Sequence, residues 1–175
     1  ATAGLGAAAS VRVAVTVFAP VSVLLGGLSN LLLPRLSTRP ITGSSSRRLV
    51  AKVTALAVAA SVAYLGIVHV LPDRTGRALF GSSWSPSTPL LLGYGVFIVS
   101  TALMVAPARA LLAAGYAKVG FTIALRQLPV VLLAPLAGYW LFDTAGIGWG
   151  FAAAGAVSVI LWAQQYTKRS RERTT

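Results

Sequence analysis

The sequence predicts an all-α fold, a polytopic membrane helix bundle of about five transmembrane helices, and three observations predict it. Of its 175 residues, 56% are hydrophobic and 10% are charged, against roughly 25% charged in soluble domains. Five stretches reach the length of about 20 mainly apolar residues that a bilayer span requires. The fifteen Lys and Arg bunch between those stretches, mostly on alternate connections, as in proteins held in one orientation by positive-inside loops. The mean hydropathy of +0.78 agrees. A soluble core of this length could not hide so much apolar surface.

The spans run at about 11–33, 53–71, 88–108, 119–142 and 147–164. Together they make a transmembrane bundle over 1–166, followed by a basic tail over 167–175. The first connection holds Arg35, Arg39, Arg47, Arg48 and Lys52. The second holds Asp73, Arg74 and Arg77, the third Arg109 and Lys118. The fourth, Asp143 to Gly146, has one acid and no base. The tail carries Lys168, Arg169, Arg171 and Arg173. Alternation puts eleven of these bases on one side and two on the other. The basic side is expected to be cytoplasmic. The expected location is therefore the cytoplasmic (inner) membrane, multi-pass, with the C-terminus in the cytoplasm. An odd number of spans then starts Ala1 outside. With no Met at the start, this leads us to expect further spans upstream.

Pro72 suits a helix start and Gly81 a helix stop, so Leu71 to Gly81 reads as a short helix lying in the outer interface. Leu79, Phe80 and Trp84 are expected to dip into the headgroups. Tyr139, Trp140, Trp149, Trp162 and Tyr166 lie near span ends, as aromatic belts do. In the fifth span Gly146, Gly150, Ala154 and Ser158 recur every four residues. Such a stripe lets another helix approach closely. Pro20, Gly26, Pro107, Pro129 and Pro135 also break the spans. They are tolerated where neighbours satisfy the freed backbone, and flexing during transport is the sharper alternative to plain packing.

Ordinary catalytic motifs are missing. There is one His, no Cys, and the acids are Asp73, Asp143 and Glu172. These build no zinc site, no carboxylate pair inside a span and no P-loop. No enzyme activity, cofactor or metal is expected. His69 and Asp73, four apart, admit a proton relay or a plain interfacial pair. The net charge of +12 does not imply nucleic acid, because the bases flank apolar spans instead of forming one basic face. Anionic lipid headgroups are their natural neighbours.

Polar groups inside spans are the remaining candidates: Arg12 and Asn30 in the first, Arg126 and Gln127 in the fourth. An intramembrane charge is costly unless it finds water or a partner, which makes it a functional candidate by default. No acid in these spans can pair with either arginine. Each either faces a wet cavity, where a guanidinium recognises phosphate, or snorkels to its nearer interface.

One resemblance has residues to rest on. The run Gly4-Leu5-Gly6, then Arg12 to Pro20, then Leu31-Leu32-Leu33-Pro34-Arg35-Leu36-Ser37 resembles the start of the second half of polysaccharide flippases. These are the Wzx-type members of the multidrug/oligosaccharidyl-lipid/polysaccharide exporter superfamily. Leu79-Phe80-Gly81 before Trp84 and Pro89-Leu90-Leu91-Leu92 resembles that family's next outer connection, and Ala113 to Lys118 a short cytoplasmic turn. The likeness covers nearly the whole chain as a pattern of order, spacing and topology. It implies the C-terminal part of a twelve-to-fourteen-helix exporter fold that moves a lipid-linked saccharide between leaflets by alternating access. It also implies basic cavity residues that meet the lipid pyrophosphate, which Arg12 matches better than Arg126. The implied partners are a lipid-linked saccharide with phosphate or pyrophosphate, membrane lipids and an N-terminal half of the same chain. Two other functions stand beside it. A multidrug cation antiporter of the same superfamily would want membrane carboxylates, which these spans lack. A non-transporting membrane subunit of a glycan-assembly complex would have about five spans in all.

Overall fold

The computed structural model describes residues 2–37 and 44–172, with side chains described for 6–37 and 45–169. Arg39 and the side chains of Arg171 and Arg173 lie outside these. The described residues are helical almost throughout: α1 Thr2–Ser37, α2 Ser44–His69, α3 Asp73–Phe80, a 3-10 turn Gly81–Ser83, α4 Trp84–Ala113 and α5 Ala117–Glu172.

Four of these elements are long and apolar enough to cross a membrane. The sequence predicts about five spans, and the difference has a local cause. Only Phe142 and Asp143 leave helical geometry inside α5, Asp143 with φ 56°. The helix folds back there. A Cβ on Gly138 would meet the backbone of Gly146, and one on Gly150 would meet that of Ala134 and Pro135. Residues 134 and 150 would lie about 24 Å apart along a straight helix. The two arms therefore run antiparallel, and they cover the fourth and fifth predicted stretches. The fourth connection needs only two residues, not the four that composition suggests.

α4 is the hub. α1, α2 and α5 pack on it and touch one another far less. Small residues set how close they come. Gly93 of α4 lies against the backbone of Gly148, Gly148 against Leu90, and Gly155 against Ser100 and Phe97. Gly146 and Gly150 face the other arm instead. The glycines of the predicted stripe thus close the hairpin, while a second pair, Gly148 and Gly155, seats it on α4. In lipid, close backbone approach of this kind replaces the hydrophobic drive between helices.

Two clusters fill the interior. The first joins Val13, Phe18, Val21 and Leu25 of α1 to Ala57, Leu90, Ile98 and Ile147. An aromatic chain threads it: Phe18 to Tyr64 at 6.0 Å, Phe18 to Tyr94 at 5.7 Å, Tyr94 to Phe151 at 5.3 Å. The Tyr64 hydroxyl donates to the Val17 carbonyl at 2.7 Å. Pro20, which lacks an N–H, leaves the adjacent Thr16 carbonyl without its helical donor. The second cluster gathers Leu32, Leu36, Val50, Ala106 and Leu111, with Trp162 and Tyr166 against it.

This second cluster marks the basic end. There Arg35, Arg47, Arg48, Lys52, Arg109, Lys118, Lys168 and Arg169 stand at the ends of α1, α2, α4 and α5. Arg169 lies 5.2 Å over the Tyr116 ring. Arg74 and Arg77 stand at the opposite end.

Much of the outer surface is apolar. Leu24, Leu56, Ile67, Phe121, Leu133 and Trp140 are each more than half exposed. Most hydroxyls bond back along their own helix, as Ser61 does to Ala57 and Ser158 to Ala154, both at 2.8 Å. Such back-bonding leaves a side chain presentable to an apolar medium. An apolar exterior with self-satisfied hydroxyls is the surface of a protein that sits in a membrane.

Candidate functional site between the outer helices

At the end opposite the bases, α3 is capped by Pro72 and stopped by Gly81, whose φ is 60°. Leu79 is exposed, but Trp84 is only 2% exposed. The expectation that Trp84 dips into the headgroups is therefore corrected. Gly76 has no side chain, and the Trp84 indole occupies the space a Cβ would take. Phe80 stacks on the indole at 5.8 Å, and the indole N–H donates to Asp73 Oδ1 at 3.2 Å. Asp73 also pairs with Arg77 at 3.6 Å, exposed to solvent. His69 and Asp73 line one pocket of about 320 Å³ with Trp84. Asp73 thus serves the α3–α4 joint.

Because α1 and α5 meet α4 but hardly each other, a furrow runs between them. Near the α5 bend it is apolar, lined by Val11, Val131, Leu132, Pro135 and Tyr139 over about 380 Å³. Toward the basic end it is lined by Ser29, Thr101, Arg109 and Trp162 over about 270 Å³. Arg109 is half-buried there and donates through Nε to the Ser29 hydroxyl. The sequence reading leaves Arg109 in a connection. In the structure α4 continues through Pro107 to Ala113. Helix phase accounts for its place: Arg109 is seven residues after Ala102, which the structure buries, on the same helical face.

The four predicted site residues do not converge. Arg12 and Asn30 are both exposed on α1. Eighteen residues, or five turns, separate them, so they share one face about 27 Å apart. Between them lie Thr16, Ala19, Ser22, Val23 and Gly26, a face without bulky side chains. Nothing within 4 Å would meet a Cβ at Gly26. The Thr16 hydroxyl returns to the Arg12 carbonyl at 2.9 Å. Arg126 is exposed on the first arm of α5 beside the exposed Leu125 and Leu128, while Gln127 turns partly inward.

Of the acids, Asp73 and Asp143 lie at or near the end opposite the basic cluster. Among the described residues no three His, Asp or Glu side chains gather closely enough to hold a metal ion. The arrangement offers cationic hydrogen-bond donors within apolar helices. Comparison with protein-family models, curated proteins and solved structures gives no match for this chain.

Proposed function

We propose that this chain is the C-terminal helical part of a transporter that flips lipid-linked oligosaccharide or polysaccharide precursors across the cytoplasmic membrane by alternating access. The observation that carries the proposal is Arg12, exposed on the outward face of α1 and ion-paired to no carboxylate among the described residues. A guanidinium so placed offers bidentate, charge-assisted contacts to a phosphate or pyrophosphate. The face it shares with Asn30 has only small or slender side chains and leaves room for a bulky ligand. A central cavity in such a transporter needs a second half opposite this face. Gathering the bases at one end supports a cytoplasmic C-terminus. The order and spacing of the motifs that resemble the flippases support the same reading.

The test is Arg12→Ala in the full-length protein, with saccharide export measured at equal membrane levels of protein. Export is expected to fall about tenfold or more, the worth of a charged hydrogen bond. Normal export would sink the role. Arg12→Lys separates the two modes of contact: mild if only charge is read, severe if the planar fork is needed.

A further inference from the structure

On the far side of α4 from the α1–α5 furrow lies a groove that this reading does not use. It is about 520 Å³ in volume, and one face of α2 forms its long wall: Arg47, Val50, Thr54 and Val58. Leu103 of α4 and Tyr166 of α5 complete it. From Arg47 to Val58 the wall is about 16 Å long. It runs along the helix axis, from the basic end toward the apolar middle of the bundle.

Its chemistry changes with depth. At the mouth stand the Arg47 guanidinium and the Tyr166 hydroxyl, with Arg48 and Lys52 exposed nearby on α2. Two turns deeper, about 10 Å in, lies the Thr54 hydroxyl. It is buried and has no hydrogen-bond partner. Ser46, in the first turn of α2, is likewise buried without a partner, whereas Ser61 and Ser158, deeper in their helices, bond back along them. Beyond Thr54 the walls are Val58 and Leu103. The groove thus offers a cation and a phenol at the level of a headgroup, a lone hydroxyl just below, and hydrocarbon beneath that. An unsatisfied buried hydroxyl costs about 1–3 kcal/mol, so a ligand that supplies an acceptor at that depth is favoured.

We infer that this groove holds one anionic glycerophospholipid of the leaflet at the basic end. Its phosphate sits on Arg47 and Tyr166, an ester carbonyl accepts from Thr54 once rotation about χ1 turns that buried hydroxyl into the groove, and an acyl chain lies along Val50, Val58 and Leu103. The charge complementarity and the orphan hydroxyl choose this occupant. A polyprenyl phosphate matches the cation but has no ester carbonyl for Thr54. The inference does not rest on the transport proposal.

The test uses the full-length protein in detergent, titrated with phosphatidylglycerol, its ether-linked analogue, phosphatidylcholine and a polyprenyl phosphate, with lipid retention read by native mass spectrometry. Phosphatidylglycerol is expected to bind at least tenfold more tightly than phosphatidylcholine. Arg47→Gln should lose about that factor, and Arg77→Gln, at the opposite end, should lose nothing. The ether analogue should bind wild type no better than phosphatidylglycerol binds Thr54→Val, and Thr54→Val should make ester and ether lipids equal. Equal binding of the anionic and zwitterionic lipids would overturn the site, as would equal weakening by Arg47→Gln and Arg77→Gln. Tighter binding of the polyprenyl phosphate would overturn the choice of occupant. Should Arg47→Gln fail to fold, Thr54→Val with the ester–ether pair decides alone.

Discussion

Gly93→Ala puts a number on the packing that holds α5 to α4. A Cβ at residue 93 would sit 2.6 Å from both the Gly148 carbonyl oxygen and the Trp149 nitrogen. Comfortable separations are about 3.5–4.0 Å, and the obstacle is backbone, which cannot rotate away. The helices must part by about 1 Å. A gap of that size forfeits roughly a quarter to a half of each pair's attraction of about 0.1–0.2 kcal/mol. Over a seam of some tens of atom pairs the loss is about 1–3 kcal/mol, which is also the usual cost of overpacking. Alanine itself returns up to about 1 kcal/mol of helix propensity. Gly26→Ala supplies the control, since nothing within 4 Å of its Cβ stands in the way. That variant gains the propensity and pays no packing cost. The two melting temperatures in detergent are therefore expected to differ by about 3–10 °C, at roughly 2–4 °C per kcal/mol for a chain of this size, with Gly93→Ala the lower. Equal melting temperatures would refute the close crossing.

Two further outcomes follow from the fold. Gly76→Ala is expected to displace the Trp84 indole and lower stability by about 2–4 kcal/mol. A variant whose other tryptophans are Phe would report it as a red-shifted emission, and unchanged emission with an unchanged melt would contradict the joint. This chain has no Cys of its own, so with any Cys elsewhere in the full-length protein replaced, single cysteines report orientation: Ser82→Cys should react with an impermeant maleimide in intact cells, and Thr167→Cys only after permeabilisation. The reverse pattern would invert the orientation.

The helices were legible because a bilayer demands length and apolarity and little else. Stretches such as 53–71 satisfy both without reference to any neighbour. Helix ends were less so. α4 begins at Trp84 and runs past Pro107 to Ala113, since a proline costs less where packed helices hold the backbone on both sides of it. Trp84 was misread because an aromatic beside a short interfacial helix fits a headgroup as well as a core. Only the missing side chain of Gly76, brought beside it by the turn at Gly81, decides between them. The stripe of Gly146 and Gly150 announced a close contact but not with which helix. Gly148 and Gly155, which seat the hairpin on α4, recur at seven residues and break the interval of four. Arg12, Asn30, Arg126 and Gln127 were visible as polar residues in apolar runs. Whether they share a site depends on helix phase and placement, and the fold puts only Arg12 and Asn30 on one face.

The two-residue bend of α5 also bears on how the chain is built. The first arm leaves the ribosome before its seat exists. Phe121, Leu125 and Leu133 then meet lipid, while the bare backbone at Ala134 and Gly138 waits for Gly150 and Gly146. Only Phe142 and Asp143 separate the two arms. A chain stopped ahead of Gly146 would leave the first arm with an open seam. The backbone seam of this end of the protein is therefore complete only once Gly146 and Gly150 have been made.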